Sequence, residues 1–419
     1  MSAQRMTVVA EPAIGSVAAA RAHIVSHALA PSPVGQVGLE LEFHLVDLSR
    51  SAQRVSWPAL NGVLATLPSM PGGSRVTVEP GGQLELSTPP MPDVASAVAV
   101  LRRDRGALSD RLARARLGLA CLGTDPSRQV RRLSPESRYA AMERHFDAAG
   151  CGDAGRSMMC ATAALQVNVD AGPREGWPDR VSRIHRLGPV LVVLSGCSPL
   201  LAGHASGWRS MRQQVWGGID QSRCGPLLDG EHPEDEWAAY ALSAPVMLVR
   251  DSVTADAVPI TERVPFATWV SGTQRLGGRA PTSADLDYHL STLFPPVRPR
   301  GFLEIRCLDA VPDRWWPGLV ALAVTLIDDE VAADRAAEAC EPVAGAWTSA
   351  ARDGLDDPRL ALAARRCVEI AAGRCPPELR SEVAAYAEMV TRGRTPGDEI
   401  RERAAEVGPL GVLEEEARA

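Results

Sequence analysis

The chain contains no lysine, so all 44 of its basic residues are arginines. This absence excludes a Schiff-base lysine, a lysine general base and the lysine of a phosphate-binding loop. Any phosphate group that the protein handles must therefore be held by arginine, by a metal ion or by backbone N–H groups. A GC-rich coding sequence explains the abundance of arginine and alanine, and the chemical exclusions hold in either case.

Long apolar runs and paired cysteine motifs are also missing. The nine cysteines are odd in number and contain no C-x2-C or C-x4-C pair, so neither a disulfide framework nor a zinc ribbon is indicated. Val190–Leu194 and Leu319–Ile327 are too short to span a bilayer, and Ala13–Ala20 does not resemble a signal peptide. We therefore expect a cytoplasmic protein without a membrane partner.

The net charge of −7 over 419 residues argues against nucleic acid as the main partner. The arginines between Leu101 and Arg132 lack interleaved aromatic residues and are typical of a solvated helix face. No Walker A, G-x-G-x-x-G, G-x-S-x-G or H-E-x-x-H motif is present, so the common nucleotide-binding, hydrolase and zinc-protease classes lack support. The length allows a large buried core, and we expect a monomer.

Alternation and capping signals predict strands mixed with long helices. We expect strands at Val37–Asp47, Arg75–Glu79, Gln83–Thr88, Ala161–Asp170 and Phe302–Leu308, strand character in Pro245–Val258, helices at Pro12–Ala30, Asp93–Leu117 (with Gly118 as its stop) and Val181–Leu201, a loop-rich stretch at Gly207–Gly230, and helices beyond residue 318. Without regular βαβ spacing, this order favours an α+β fold around a largely antiparallel sheet. We predict a catalytic domain over residues 1–330 and a helical region over residues 331–419 that packs on the same domain.

The polar faces of these strands collect acids and amides opposite an apolar face. They are Glu40, Glu42, Glu79, Glu85, Glu304, Gln166 and Asn168, with Arg306 beside them. Each strand alone has a simpler explanation, since the polar face of an amphipathic strand usually meets water. Together they place five carboxylates on one face with almost no balancing charge, and such carboxylates raise each other's pKa. A bound divalent cation removes that repulsion, and oxygen ligands favour Mg²⁺ or Mn²⁺ over zinc.

The spacing of these residues suits phosphoryl transfer. Residues i and i+2 on a strand lie about 6.5 Å apart, so Glu40 and Glu42 can serve two neighbouring ions. Such ions bridge the phosphates of ATP, and Arg306 on the same face is placed to stabilise the transferring γ-phosphoryl group.

Five segments resemble the plant and proteobacterial type of glutamate–cysteine ligase. They are Gly38–Phe43, Glu79–Ser87, Thr162–Asp170, Arg138–Met142, and His289–Arg298 running into Glu304-Ile305-Arg306. Together they cover about residues 35 to 310, and the block that begins Glu79-Pro80-Gly81-Gly82-Gln83 is highly specific. The lysine-free composition and short length look most like the actinobacterial branch of that family, whose product feeds ergothioneine synthesis.

The resemblance implies a glutamine synthetase-like catalytic fold, in which a curved antiparallel sheet forms a half-barrel around metals and ATP. The implied reaction joins the γ-carboxylate of glutamate to the amine of cysteine through a γ-glutamyl phosphate. By matching motif, the metal ligands would be Glu40, Glu42, Glu79, Glu85 and Glu304, with Gln166 near the metals. Arg306 would contact the phosphate.

The same resemblance suggests substrate contacts at Arg138, Tyr139, Asn168, Arg212, Trp216 and Arg223. A substrate α-carboxylate favours a bidentate arginine, so Arg212 and Arg223 are candidates, although either one can instead make a structural ion pair. For His44, a hydrogen bond to a metal ligand is expected rather than direct ligation. A ligase with another amine acceptor and a non-catalytic binding relative remain alternative functions.

Overall fold

The structure is a computed structural model, and it describes residues 13–227 and 231–419. Its strands are β1 (Val37–Asp47), β2 (Arg75–Val78), β3 (Leu84–Ser87), β4 (Leu117–Ala120), β5 (Ala164–Val169), β6 (Leu200–Leu201), β7 (His204–Ala205), β8 (Leu248–Arg250), β9 (Ala257–Pro259), β10 (Val297–Pro299) and β11 (Leu303–Asp309). The α-helices are α1 (Val17–Ala28), α2 (Trp57–Leu64), α3 (Val94–Ala113), α4 (Ser137–Ala148), α5 (Gly152–Ala161), α6 (Trp177–Ser195), α7 (Met211–Gly217), α8 (Gln221–Cys224), α9 (Pro233–Ser243), α10 (Phe266–Val270), α11 (Ser283–Leu290), α12 (Trp316–Asp328), α13 (Glu330–Cys340), α14 (Trp347–Arg352), α15 (Pro358–Ala372), α16 (Arg380–Thr391) and α17 (Pro396–Arg418).

One sheet of seven strands carries the site. Its order is β10-β11-β5-β1-β3-β2, with β4 paired to the second half of β1, and every pairing in it is antiparallel. The sheet is open, and the strands alternate as the sequence predicts. Leu39, Leu41 and Phe43 are fully buried on the core side of β1, while Glu40 and Glu42 lie half-buried on the other side. The predicted antiparallel α+β architecture is confirmed.

The register sets which polar side chains meet. Glu42 on β1 lies directly opposite Glu85 on β3, and Glu40 lies opposite Gln166 on β5. A bulge in β11 places Arg306 and Cys307 between the paired residues Ile305 and Leu308, so strict alternation ends there. Such bulges redirect a side chain next to the point where pairing shifts.

The C-terminal boundary predicted for the helix over Asp93–Leu117 is wrong. Asp93 caps α3 as expected, but the helix ends at Ala113, and Leu117–Ala120 forms β4 against His44–Asp47. Gly118, expected as a helix stop, instead lies inside β4, where a Cβ atom would stand 2.0 Å from the carbonyl oxygen of Ala417 on α17. Close packing of the C-terminal helix therefore explains this glycine.

Other predicted boundaries shift by a few residues. The first helix begins at Val17 with Ser16 as its N-cap, and the predicted first position, Pro12, lies outside the described residues. The segment predicted as a helix to Leu201 ends at Ser195, because Leu200–Leu201 pairs with β7. Within the stretch predicted as loop-rich, residues 211–217 and 221–224 are helical, and residues 228–230 are outside the described part.

The helices after residue 318 share the core of the sheet. Apolar residues of α12, α13, α15 and α16 belong to the same buried cluster as those of β1 and β5. Leu413 and Ala417 of α17 pack on Val46 and Ala120. The division into residues 1–330 and 331–419 stays a prediction. Across the described ranges 13–227 and 231–419, we find no helix with the length and apolar character needed to cross a membrane.

Candidate active site

A cavity of about 300 Å³ opens over the polar face of the sheet. Its lining includes most of the predicted site residues, namely Glu40, Glu42, Glu79, Glu85, Glu304, Gln166, Arg306, Arg138, Tyr139, Arg212 and Trp216. Asn168 is not in the lining, but its side-chain amide donates to Glu40 Oε1 at 3.0 Å. Residues from six separate segments of the chain therefore converge on one concave site, which is where catalytic groups are expected.

Three carboxyl groups in this cavity have raised pKa values. Burial, followed by the negative charge of Glu85, raises the pKa of Glu42 to about 7. Burial and the charges of Glu42 and Glu85 raise the pKa of Glu79 well above its ordinary value. Burial, Glu85 and Glu304 raise the pKa of Glu40. Repulsion between carboxylates thus contributes to each of these shifts after burial, and the register sets Glu42 directly opposite Glu85.

Glu304 differs from the other carboxylates because arginines surround it. Arg298 donates to it through Nε at 2.5 Å and Nη2 at 3.0 Å, and Arg306 Nη1 lies 3.2 Å from Oε2. Although burial opposes ionisation, Arg306 and Arg298 outweigh it and lower the pKa of Glu304 to about 2. The expectation of almost no balancing charge on this face is therefore wrong, since Arg298, Arg300 and Arg75 also line the cavity.

Arg306 and Arg212 keep N–H groups that no protein atom accepts. Arg306 Nη1 donates to Gln166 Oε1 at 2.6 Å, and Arg212 Nη2 donates to the Arg306 carbonyl at 2.9 Å. Within the described residues, Nε of Arg306 and both Nε and Nη1 of Arg212 are buried without a hydrogen-bond partner. Arg212 Nη1 lies 3.9 Å from Asp309, outside the cavity lining, whereas the unpartnered Nε atoms of the two arginines are candidate donors to an anionic ligand.

The turn between β2 and β3 places Glu79 and Glu85. The backbone φ of Gly82 is +85°, which favours glycine, and a Cβ atom on Gly81 would lie 2.2 Å from the Cys160 carbonyl oxygen. Arg54 donates to the Gly81 carbonyl at 3.1 Å. The glycine pair of this motif thus allows the turn to pack tightly against the end of α5.

An apolar wall that sequence reasoning missed faces these charges. It is formed by Met142, Met158, Met159 and Phe294 together with Trp216, whose ring meets Phe294 edge-on at 5.5 Å. The two methionines of α5 follow one another, so no strand alternation marks them as cavity residues. The sequence prediction also missed Arg298. The Arg300-Gly301 turn between β10 and β11 was a usable signal, since this turn sets Arg298 opposite Glu304.

The structure does not bring Arg223 to the cavity. Its side chain is fully buried, and its guanidinium donates to the carbonyl oxygens of Thr292 at 2.9 Å and Pro245 at 2.5 Å. Asp220, 4.0 Å from Arg223, makes its closer ion pair with Arg263 at 2.9 Å. The expectation that Arg223 holds a substrate carboxylate is wrong for this structure, and the alternative structural role fits.

His44 also has a different partner from the one expected. It is fully buried, and its Nε2 lies 3.1 Å from the Leu122 carbonyl rather than beside a cavity carboxylate. Burial lowers its pKa to about 4, so Nε2 donates from a neutral ring. His44 therefore helps to hold the segment after β4 and does not support a metal ligand.

Any cation in this cavity would be held by oxygen donors. Among the residues the structure describes, no group of three or more histidine, cysteine, aspartate or glutamate side chains is arranged to hold one ion. The carboxylates Glu40, Glu42, Glu79 and Glu85 nevertheless share one cavity. Burial and neighbouring carboxylates raise the pKa of Glu40, Glu42 and Glu79, although Arg306 opposes this, and Glu85 lies directly opposite Glu42. The chemistry of this donor set fits a hard divalent cation.

Comparison with known proteins gives close relatives over nearly the whole chain. The chain is 52% identical over 401 residues to the glutamate–cysteine ligase EgtA of Mycolicibacterium smegmatis, covering 95% of this chain and 94% of that protein. It is 51% identical over 387 residues to EgtA of Mycobacterium tuberculosis, covering 92% and 90%. The chloroplastic glutamate–cysteine ligase of Arabidopsis thaliana is 27% identical over 315 residues, covering 74% of this chain and 58% of that one.

A solved structure shares the fold. The glutamate–cysteine ligase of Francisella tularensis, solved in complex with AMP, matches with a TM-score of 0.53 at 13% identity, over 93% of this chain and 88% of that one. The family model for glutamate–cysteine ligase family 2 matches residues 36–417. The chain therefore belongs to glutamate–cysteine ligase family 2.

Proposed function

We propose that the protein is an ATP-dependent glutamate–cysteine ligase that forms γ-glutamylcysteine, ADP and phosphate. The observation that carries the proposal is a single cavity that combines carboxylates of raised pKa with arginines whose buried Nε atoms have no hydrogen-bond partner among the described residues. The first group suits a cation and the second suits anions, and a ligase of this kind must bind metal, phosphate and amino-acid carboxylates together. The names of the relatives at 51% and 52% identity support the same activity.

We assign the cation to the four cavity glutamates that, unlike Glu304, are not held in a close ion pair with an arginine among the described residues. Glu40, Glu42, Glu79 and Glu85 would hold Mg²⁺ or Mn²⁺, which supplies charge stabilisation for the phosphates of ATP. Glu304 and Gln166 stay predictions as metal ligands, because in the structure their oxygens accept from Arg298 and Arg306. Glu304 then orients Arg306 toward the transferring phosphoryl group.

The reaction then proceeds in two steps, and arginines assist both. A γ-carboxylate oxygen of glutamate attacks the γ-phosphorus of ATP, the bond to the bridging oxygen breaks, and ADP leaves. Arg306 stabilises the charge on the transferring group through its unpaired Nε and its Nη atoms. The amine of cysteine then attacks the acyl carbon, loses a proton, and releases phosphate. Arg212 holds a substrate α-carboxylate during both steps, with Arg138 and Tyr139 in the lining of the same cavity.

The amine acceptor can be inferred from the apolar wall. A cysteine side chain placed against Met142, Met159 and Phe294 buries a thiol among sulfur and aromatic groups, which is favourable. A serine hydroxyl in the same place loses its hydrogen bonds to water and gains none from these side chains. An acceptor side chain bound at this wall would therefore be selected for cysteine over serine by desolvation.

An ADP-release assay tests activity and selectivity together. With ATP, Mg²⁺ and glutamate, we expect ADP formation to depend on cysteine, and kcat/KM for serine to be lower by roughly 10²-fold. Mass spectrometry of the product should show γ-glutamylcysteine. Equal turnover with serine would contradict the assignment of the wall, and ADP formation with a different amine acceptor alone would replace the proposed substrate.

The wider role follows from the same relatives. The product would supply ergothioneine synthesis, as the resemblance to the actinobacterial branch implies, and the mycobacterial relatives support that placement. A cytoplasmic location and a monomeric state stay predictions.

A further inference from the structure

Asp309 lies outside the cavity lining, close to two of the arginines that line it. It is the last residue of β11, three residues beyond Arg306, and it is fully buried. Its carboxylate accepts from the Cys197 N–H at 3.0 Å, the Ser198 hydroxyl at 2.6 Å and the Ser210 hydroxyl at 2.9 Å. Arg212 Nη1 lies 3.9 Å away. Because Asp309 is not in the cavity lining, any effect on substrate must pass through another residue.

The two serines connect this carboxylate to the start of α7. The Ser198 hydroxyl oxygen accepts from the Arg212 N–H at 3.0 Å. The Ser210 hydroxyl oxygen accepts from the Gln213 N–H at 3.2 Å, which caps the helix. Asp309 thus fixes the backbone of the turn that carries the Arg212 side chain.

The same turn is attached to the bulge that carries Arg306. Arg212 Nη2 donates to the Arg306 carbonyl at 2.9 Å, and Gln213 Nε2 donates to the Cys307 carbonyl at 2.7 Å. A Cβ atom on Gly123 would lie 2.7 Å from the Asp309 carboxylate, so neighbouring backbone leaves this group little room to move. The network therefore joins the two arginines through buried, short contacts.

We propose that Asp309 is a positioning residue that fixes the Arg212 guanidinium relative to that of Arg306. This inference rests on the proposed function, in which Arg212 holds a substrate carboxylate and Arg306 contacts the phosphoryl group. A fixed separation between these arginines keeps the reacting carboxylate and phosphorus in line, and small displacements are costly in such a geometry.

The variant Asp309→Asn separates positioning from simple charge balance. If Asp309 only neutralised Arg212, removing its charge would leave Arg212 more attractive to anions, and the KM for the substrate that Arg212 holds would fall. If Asp309 positions Arg212, asparagine supplies one acceptor oxygen in place of two, the turn loosens, and the same KM rises. We expect a rise of about tenfold in the KM of one amino-acid substrate, with a smaller change in kcat.

A double-mutant cycle with Arg212→Gln shows whether the effect passes through Arg212. We expect Asp309→Asn to change the same KM as Arg212→Gln, and to have no further effect on it in the Arg212→Gln background. Asp328→Asn is the matched control. Asp328 accepts from Arg180 at 2.6 Å, and neither residue lines the cavity. It should lower the Tm without changing either KM.

A lower or unchanged KM in Asp309→Asn, or an equal rise with and without Arg212, would overturn the inference. If Asp309→Asn does not fold, Ser198→Ala removes the hydroxyl between Asp309 and the Arg212 N–H, and it must raise the same KM in the same Arg212-dependent way. Failure of the proposed function is a separate result, since the wild-type enzyme would then form no γ-glutamylcysteine.

Discussion

Replacing Glu42 by alanine is expected to abolish turnover and to raise the Tm of the metal-free protein. Glu42 lies opposite Glu85 and beside Glu79, so its carboxylate both completes the proposed cation site and repels its neighbours when no cation is bound. Steady-state ADP release and thermal melts with and without Mg²⁺ measure the two effects. Mg²⁺ should raise the Tm of the wild type more than that of the variant.

The gain in Tm should depend on pH with a defined sign. Burial and Glu85 raise the pKa of Glu42 in the folded protein from 4.5 to about 7. Between those values the folded state binds the proton more tightly than the unfolded state, so wild-type stability falls as pH rises through this window. The Tm advantage of Glu42→Ala without Mg²⁺ should therefore be larger at about pH 8 than at about pH 5.

A surface carboxylate provides the control for this prediction. Glu388→Ala on α16 removes an exposed partner of Arg392 and should change neither turnover nor the response to Mg²⁺. An active Glu42→Ala enzyme would contradict the assignment of Glu42 to the cation site. A Tm advantage that is independent of pH would contradict the argument from its raised pKa.

Replacing Arg306 by lysine is expected to lower kcat by roughly 10²-fold or more, which is the scale of losing one transition-state donor. Lysine keeps the positive charge but loses the planar fork that contacts Gln166 and Glu304 and that we propose also contacts the phosphoryl group. The KM for glutamate should move much less, because Arg212 is assigned to a substrate α-carboxylate.

Kinetics of the purified variant with each substrate varied in turn distinguish these roles. Arg300→Lys is a suitable control. Arg300 is exposed, and its ion pair with Glu304 is long, at 3.4 Å, so a much smaller loss in kcat is expected. If Arg306→Lys left kcat unchanged and raised only the glutamate KM, Arg306 would be an anchor for the glutamate carboxylate instead.

The acidic face can be predicted from the sequence because strand alternation has a fixed period. The bounds of β1 match the prediction, and the alternation of its residues is enough to assign Glu40 and Glu42 to one side of the sheet. The block from Glu79 to Ser87 likewise carries its own turn, with Gly82 at positive φ. Local patterns of this kind identify which side chains share a face.

The partners of those side chains depend on register and tertiary packing. The opposition of Glu42 and Glu85 follows from how β1 pairs with β3, and the convergence of Arg298 and Arg306 on Glu304 follows from a hairpin and a bulge. Neither can be read from residue spacing. For the same reason β4 was missed, because four residues with a glycine become a strand only where β1 and α17 enclose them.

Arg223 shows the limit of reasoning from residue type. An arginine near Trp216 and Asp220 suits carboxylate binding, but this one is fully buried, and backbone carbonyls of two other segments accept from its guanidinium. The apolar wall shows the reverse error, in which residues that line the site are not recognised. Apolar residues on a helix usually indicate core, but the methionines of this wall line the cavity.

Transfer of oxygen-18 tests the central claim most directly. Glutamate labelled in its γ-carboxylate is incubated with the enzyme, ATP, Mg²⁺ and cysteine, and the released phosphate and the peptide are analysed by mass spectrometry. If a γ-glutamyl phosphate forms, one labelled oxygen passes to each phosphate released, because that oxygen attacks the γ-phosphorus and leaves with it. Label that stays entirely in the peptide and glutamate, with none in phosphate, would contradict the proposed ligase mechanism.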